Sequence, residues 1–150
     1  MITFRLIALF CLGLSACRGT GMTGPEQLAY TAVAKIISES PTRLQLTGTI
    51  RNNGPESFTV HTGACSVGYR LYSHSASMAE GSLAYEFKPF DRPCILIALS
   101  KTLKPGEEYV MTSGPVELSG QVAPGKYQLR VTLYHDGIVA EVPAGEFDIR

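Results

Sequence analysis

From Leu28 onward, apolar side chains recur at every second position, and this alternation constrains the fold more than any other feature. Leu28, Tyr30, Ala32, Ala34 and Ile36 form the first run, and Leu44, Leu46, Gly48 and Ile50 the second. Phe58, Val60 and Thr62 follow, then Cys65, Val67, Tyr69 and Leu71, then Leu83, Tyr85 and Phe87. Later runs are Ile95, Ile97 and Leu99; Tyr109 and Met111; Tyr127, Leu129, Val131 and Leu133; Ile138, Ala140 and Val142; and Phe147 with Ile149. Successive side chains of a strand point to opposite faces, so period two means one buried and one wet face. The alanines of 28–37 suit a helix, but Tyr30, Thr31, Val33, Ile36 and Ile37, with Pro41 close behind, favour a strand.

Turn chemistry punctuates these runs at Asn52-Asn53-Gly54-Pro55, Lys104-Pro105-Gly106, Ala123-Pro124-Gly125 and His135-Asp136-Gly137. Asp136-Gly137 suits a two-residue hairpin loop, whose central residues both need positive φ. About nine short strands with regular turns predict an all-β, antiparallel β-sandwich, with a closed barrel as the alternative. Gly125-Lys126-Tyr127-Gln128-Leu129 resembles the tyrosine corner of immunoglobulin-like domains. There a Tyr near a strand start sends its hydroxyl back to upstream backbone, and a core residue follows two positions later. Leu129 stands at that later position and the chain has no Trp, so an immunoglobulin-like sandwich in the loose sense is expected.

The first residues read differently. Met1 to Cys17 (MITFRLIALFCLGLSAC) place Arg5 ahead of an apolar run from Leu6 to Ala16. Eleven residues at helical rise cover about 16 Å against a hydrocarbon core of about 30 Å, which suits a cleaved export signal better than a span. An ordinary cleavage site wants a small residue where Leu14 stands. Leu14-Ser15-Ala16-Cys17 instead resembles the lipobox of bacterial lipoproteins. That resemblance implies a signal peptide at 1–16, acylation of Cys17, a cell-envelope location with membrane lipid as a partner, and, with Arg18 rather than Asp next, the outer membrane of a Gram-negative source. Two or three acyl chains hold stably where one holds marginally. Residues 17–25 then form the lipidated Cys and a Gly-rich tether reaching roughly 15 Å, and 26–150 the folded domain.

Four Cys occur; Cys11 leaves with the signal and Cys17 takes lipid, so Cys65 and Cys94 remain. In an exported chain a single bridge between them is expected, stabilising by roughly 3–4 kcal/mol. A metal or redox pair is the alternative, but no CxxC occurs and no His lies within a few residues of either Cys.

From about Thr42 the order of elements is similar to the BsuPI family of intracellular proteinase inhibitors. Asn52-Asn53 at a strand end, Leu103-Lys104-Pro105-Gly106-Glu107 leading to Tyr109, and Pro124-Gly125-Lys126-Tyr127 carry the likeness. It implies a sandwich fold and, as an alternative function, protease inhibition through a loop such as 73–82 or 88–94.

Chemistry is sparse. Lys+Arg 13 balance Asp+Glu 13 and no basic run exists, so no nucleic-acid partner is expected. His135 in a turn and His74 among serines read as solvated, and His61 lies on a strand opposite Phe58 and Val60. No GxSxG frames a serine, Glu107 and Glu108 point to opposite faces, and Met22, Met78 and Met111 are scattered, with Met111 in the core. No catalytic, cofactor or metal residues are assigned, and the chain reads as a non-enzymatic binding or structural module meeting an unknown protein or envelope partner. Tyr72 and Tyr134, opposite Leu71 and Leu133, are the candidate surface aromatics. The bridge is checked by alkylating the unreduced protein and weighing it: neither Cys65 nor Cys94 takes label if the disulfide forms, and full labelling of both refutes it.

Overall fold

The computed structural model describes residues 27–73, 81–91, 97–118 and 120–149. The expected signal sequence and tether, with Cys17, Met22, His74, Met78 and Cys94, lie outside these residues. Ten strands are described: β1 (Leu28–Glu39), β2 (Thr42–Asn52), β3 (Phe58–Gly63), β4 (Val67–Ser73), β5 (Leu83–Phe87), β6 (Ala98–Leu103), β7 (Glu108–Thr112), β8 (Val116–Glu117), β9 (Gly125–His135) and β10 (Ile138–Ile149). A 3₁₀ turn at Pro89–Asp91 follows β5. No helix of the described residues is long and apolar enough to cross a membrane.

The strands form an all-β, sandwich-like arrangement in which every pairing is antiparallel. One sheet runs β1-β2-β7, with β8 also on β2; the other runs β10-β9-β4-β5; β3 and β6 make a separate ribbon. Among the described residues both sheets end in edges, and no pairing closes them into a barrel. The alternation works as the physics requires on β2, where Thr42, Leu44, Leu46, Gly48, Ile50 and Asn52 are buried while Arg43, Gln45 and Arg51 are exposed. Leu44, Leu46 and Ile50 share one core with Tyr69, Leu71, Leu129, Val131 and Leu133 of the facing sheet and with Val60 and Leu103 of the ribbon. Met111 belongs to the same core, as its sequence position suggests.

Gly48 has a steric reason. A Cβ there would stand 2.2 Å from Leu133 Cδ2, and Leu133 is completely buried. Leu133 therefore rests directly on the β2 backbone. Asn52 ends β2 with a fully buried side chain whose Nδ2 donates to the carbonyls of Glu56 (2.7 Å) and Leu103 (2.9 Å). Its Oδ1 accepts from Gly54 N at 2.9 Å, so the amide ties β2, the following loop and β6 together. Two local expectations hold. Tyr127 Oη donates to the Ala123 carbonyl at 2.8 Å, with Leu129 fully buried two positions on. Asp136 and Gly137 have φ of 48° and 74° between paired His135 and Ile138.

The alternation misleads where a strand lacks cover. Leu83, Ile97 and Leu99, expected on buried faces, are 51%, 48% and 43% exposed. Leu83 opens the edge strand β5, and Leu99 pairs with Thr62 near the end of a two-stranded ribbon, so neither is roofed by a second layer. Ile36, also exposed, adjoins the register shift between Ile36 and Ser38 on β1.

Gly48→Ala should cost about 1–3 kcal/mol through overpacking, read as a lower urea midpoint. Because the new methyl meets Leu133, Gly48→Ala combined with Leu133→Ala should lose less than the two single losses summed; strict additivity would show that the two sites do not meet.

Candidate functional site

A cleft of about 660 Å³ opens between the β7–β8 side of the first sheet and β4 and β5 of the second. Its origin is local. After Thr112 the chain reads Ser113-Gly114-Pro115, and a proline has no N–H for a strand ladder. Ser113 still holds to β2, donating its N–H to the Leu46 carbonyl (2.9 Å) while its Oγ accepts from Leu46 N (3.1 Å). Pairing lapses until Val116 and Glu117 rejoin β2 opposite Leu44 and Arg43. The cleft floor is apolar, with Val67, Tyr69 and Phe87; the rings of Tyr69 and Phe87 stack at 5.4 Å. The rim is polar, with Gln121 and the exposed Arg43–Glu117 ion pair at 2.9 Å. Cys65 lines the same cleft and is engaged rather than free, whereas its expected partner Cys94 lies outside the described residues.

His135 corrects the sequence reading. It was expected to be solvated in a turn, yet it is only 3% exposed. The reason is parity: Tyr127, Leu129, Val131, Leu133 and His135 share the inward face of β9. Polar partners make the burial tolerable. Nδ1 lies 3.0 Å from Asp136 Oδ2, and Nε2 lies 2.9 Å from Tyr30 Oη. Burial, then the Asp136 charge, pushes the Tyr30 hydroxyl pKa above its ordinary value. Asp136 also accepts from the backbone N–H of His61 at 3.2 Å. His61 is exposed on the ribbon as its position suggests, with Nδ1 2.8 Å from Ser100 Oγ. Among the described residues, no three His, Cys, Asp or Glu side chains gather as a metal-holding group.

The candidate aromatics stand apart. Tyr72 lies on the outer face of the second sheet, within an ionic lattice that sequence reading missed. Arg70 bridges Glu86 at 2.7 Å and Glu141, Arg130 pairs with Glu141 at 3.1 Å, and Tyr72 Oη donates to Glu141 at 2.9 Å. The Arg130 guanidinium sits 4.9 Å from the centre of the Tyr72 ring. Register explains the gathering, since Arg70 pairs with Arg130 on β9 and with Glu86 on β5. Hydrogen bonds from Arg70 hold the Glu86 carboxyl below the usual carboxylate range, against a smaller effect of burial. Burial works to raise Glu141, but donors from Arg70, Tyr72 and Arg130 together outweigh it and hold that carboxyl low as well. Tyr134 instead meets Phe90 edge-on, with ring centres 5.0 Å apart. The loops 73–82 and 88–94, considered above as inhibitor loops, lie partly outside the described residues, at 74–80 and 92–94.

No protein-family model matches the chain, and no curated protein matches it in sequence. Among solved structures, a chain named ApaA from Bordetella pertussis is 22% identical, with a TM-score of 0.42 over 81% of this chain and 91% of that one. A β-glucosidase from Kluyveromyces marxianus is 12% identical, at 0.42 over 81% of this chain and 14% of its own. β-Glucosidase 3B from Thermotoga neapolitana is 12% identical, at 0.36 over 82% and 17%. The expectation of a chain that is not an enzyme is withdrawn, because the solved structures it resembles include glycoside hydrolases. This chain spans only 13–17% of those hydrolases, and no catalytic residue or substrate passes from them to it.

The two lowered carboxyls set an acid response. Their stabilisation is complete above the unfolded glutamate pKa of about 4.3 and is lost as pH falls through the lower folded values. The melting temperature should therefore fall as pH drops below about 4, and Glu141→Gln should lower it at neutral pH while flattening that dependence. An unchanged acid slope in Glu141→Gln would remove Glu141 from the account.

Proposed function

We propose that this chain is a lipid-anchored binding module of the cell envelope, held at a bilayer through acylated Cys17 and receiving its partner in the cleft beside β7 and β8. The cleft carries the reading. Its volume of about 660 Å³ lies within the roughly 300–1,000 Å³ of small-ligand sites, and an apolar floor with a few polar groups at the rim is the usual chemistry of such sites. The anchor is supported by Leu14-Ser15-Ala16-Cys17, each position of which fits a lipobox, and Arg18 favours the outer membrane if the source is Gram-negative.

An immunoglobulin-like plan is supported by strand order. The β1-β2-β7 sheet faces β10-β9-β4-β5 in the manner of the A-B-E and G-F-C sheets of that fold, with the β3–β6 ribbon added. The Tyr127 hydroxyl bond to Ala123 supports the same plan. A Cys65–Cys94 bridge would pin one wall of the cleft, and the engagement of Cys65 supports it.

The test has two arms. Cys17→Ala should move the protein from the membrane fraction to the soluble fraction, and retention at the membrane would overturn the anchor. Gly114 lines the cleft and a Cβ there meets no atom within 4 Å, so Gly114→Trp adds bulk at the cleft without a clash at its first atom. Crosslinking in native membranes should capture a partner with the wild-type chain and lose it with a Gly114→Trp variant of equal melting temperature. Equal capture by both would take the cleft out of the function.

A further inference from the structure

Bare apolar side chains gather at the end of the molecule where the chain runs back toward Cys17. β1 starts there: Leu28 pairs with Asn52, and the Gln27 carbonyl accepts from Asn53 N at 2.8 Å. Tyr30, two residues on, reaches His135 at the close of β9, so the tip of the β9–β10 hairpin lies at the same end. Beyond His135 and Ile138, the next pair of that hairpin is Tyr134 with Val139. Phe90 is 57% exposed and Val139 51%, and Tyr134 meets Phe90 edge-on. With Ile138 these side chains line a shallow hollow of about 280 Å³. The polar groups bordering it are already occupied, Asp136 by His135 and His61 N, and the His61 ring by Ser100.

Chain length decides what this surface meets. The ten steps from Cys17 to Gln27 span at most about 36 Å when fully stretched. The twelve residues of β1 carry that strand about 40 Å farther from its start. An acylated Cys17 therefore keeps the start of β1 near the bilayer, while the opposite end can stand clear of it. Apolar and aromatic side chains sink favourably into the boundary between headgroups and acyl chains, and the one carboxylate lining this hollow, Asp136, is held by the His135 ring and the His61 N–H.

We infer that Phe90, Tyr134 and Val139 seat in the bilayer surface that holds Cys17, so that the domain stands on the membrane by its β9–β10 tip. This rests on the anchor proposed above. The orientation leaves the far end of the sandwich facing away from the lipid.

The chain contains no Trp, so one introduced Trp reports alone. Full-length lipidated Phe90→Trp and Val139→Trp would be floated with vesicles of phosphatidylethanolamine and phosphatidylglycerol, with or without phosphatidylcholine brominated near the glycerol end of its chains. Lys126→Trp, at the exposed start of β9, serves as the distant comparison. Both patch variants should shift to shorter wavelength and lose at least half of their emission to bromine, while Lys126→Trp loses none. If the proteins do not float with vesicles, the anchor fails and the orientation with it. Flotation with Phe90→Trp and Val139→Trp no more quenched than Lys126→Trp overturns the orientation alone. A wavelength shift without quenching places the patch against protein and overturns it too. Should one variant fail to fold, the other decides.

Discussion

The close approach of Leu133 to the backbone of Gly48 sets the spacing on which the rest of this fold depends. Two sheets pack about 10 Å apart only if their inner side chains interdigitate. Here β2 yields room by having no side chain at the point where Leu133 of β9 comes against it. Leu44, Leu46 and Ile50 can then reach Leu71, Leu129 and Val131 in one continuous core. The same register carries His135 inward beyond Leu133, which is why Tyr30 and Asp136 become its hydrogen-bond partners.

Legibility in the sequence followed physical layering. Where a strand has a neighbour on each side and a sheet opposite, as β2 and β9 do, alternation named the buried residues correctly. Tyr127 and the Asp136-Gly137 hairpin were readable because each depends on a few adjacent residues. Leu83 and Leu99 were misread because alternation specifies a face and is silent about whether anything covers it. His135 was misread because a turn composition outweighed a parity that was already visible in Leu129, Val131 and Leu133. The ionic lattice around Glu141 joins residues of four strands, and only strand order brings them together.

The cleft is a different kind of omission. Gly114-Pro115 was available as a turn signal, but a break in a strand matters only when the facing sheet leaves the gap unfilled. A short interruption in one ladder and the apolar face of β4 and β5 are together needed to make a concave surface. The two faces of the second sheet are thus put to opposite uses. Its outer side is closed by paired charges, and its inner side near β4 and β5 stays partly open.

The Asn52 amide has a consequence for how the domain comes apart. Two of its partners, Gly54 and Glu56, stand in the loop that follows β2, and the third, the Leu103 carbonyl, belongs to the ribbon. Peeling the β3–β6 ribbon away would give up that bond, worth about 0.5–1.5 kcal/mol, together with the core contacts of Val60 and Leu103 and the His61–Asp136 bonds. A ribbon belonging to neither main sheet is thus fastened at both of its flanks, by an amide at the end of β2 and by the carboxylate that turns the β9–β10 hairpin.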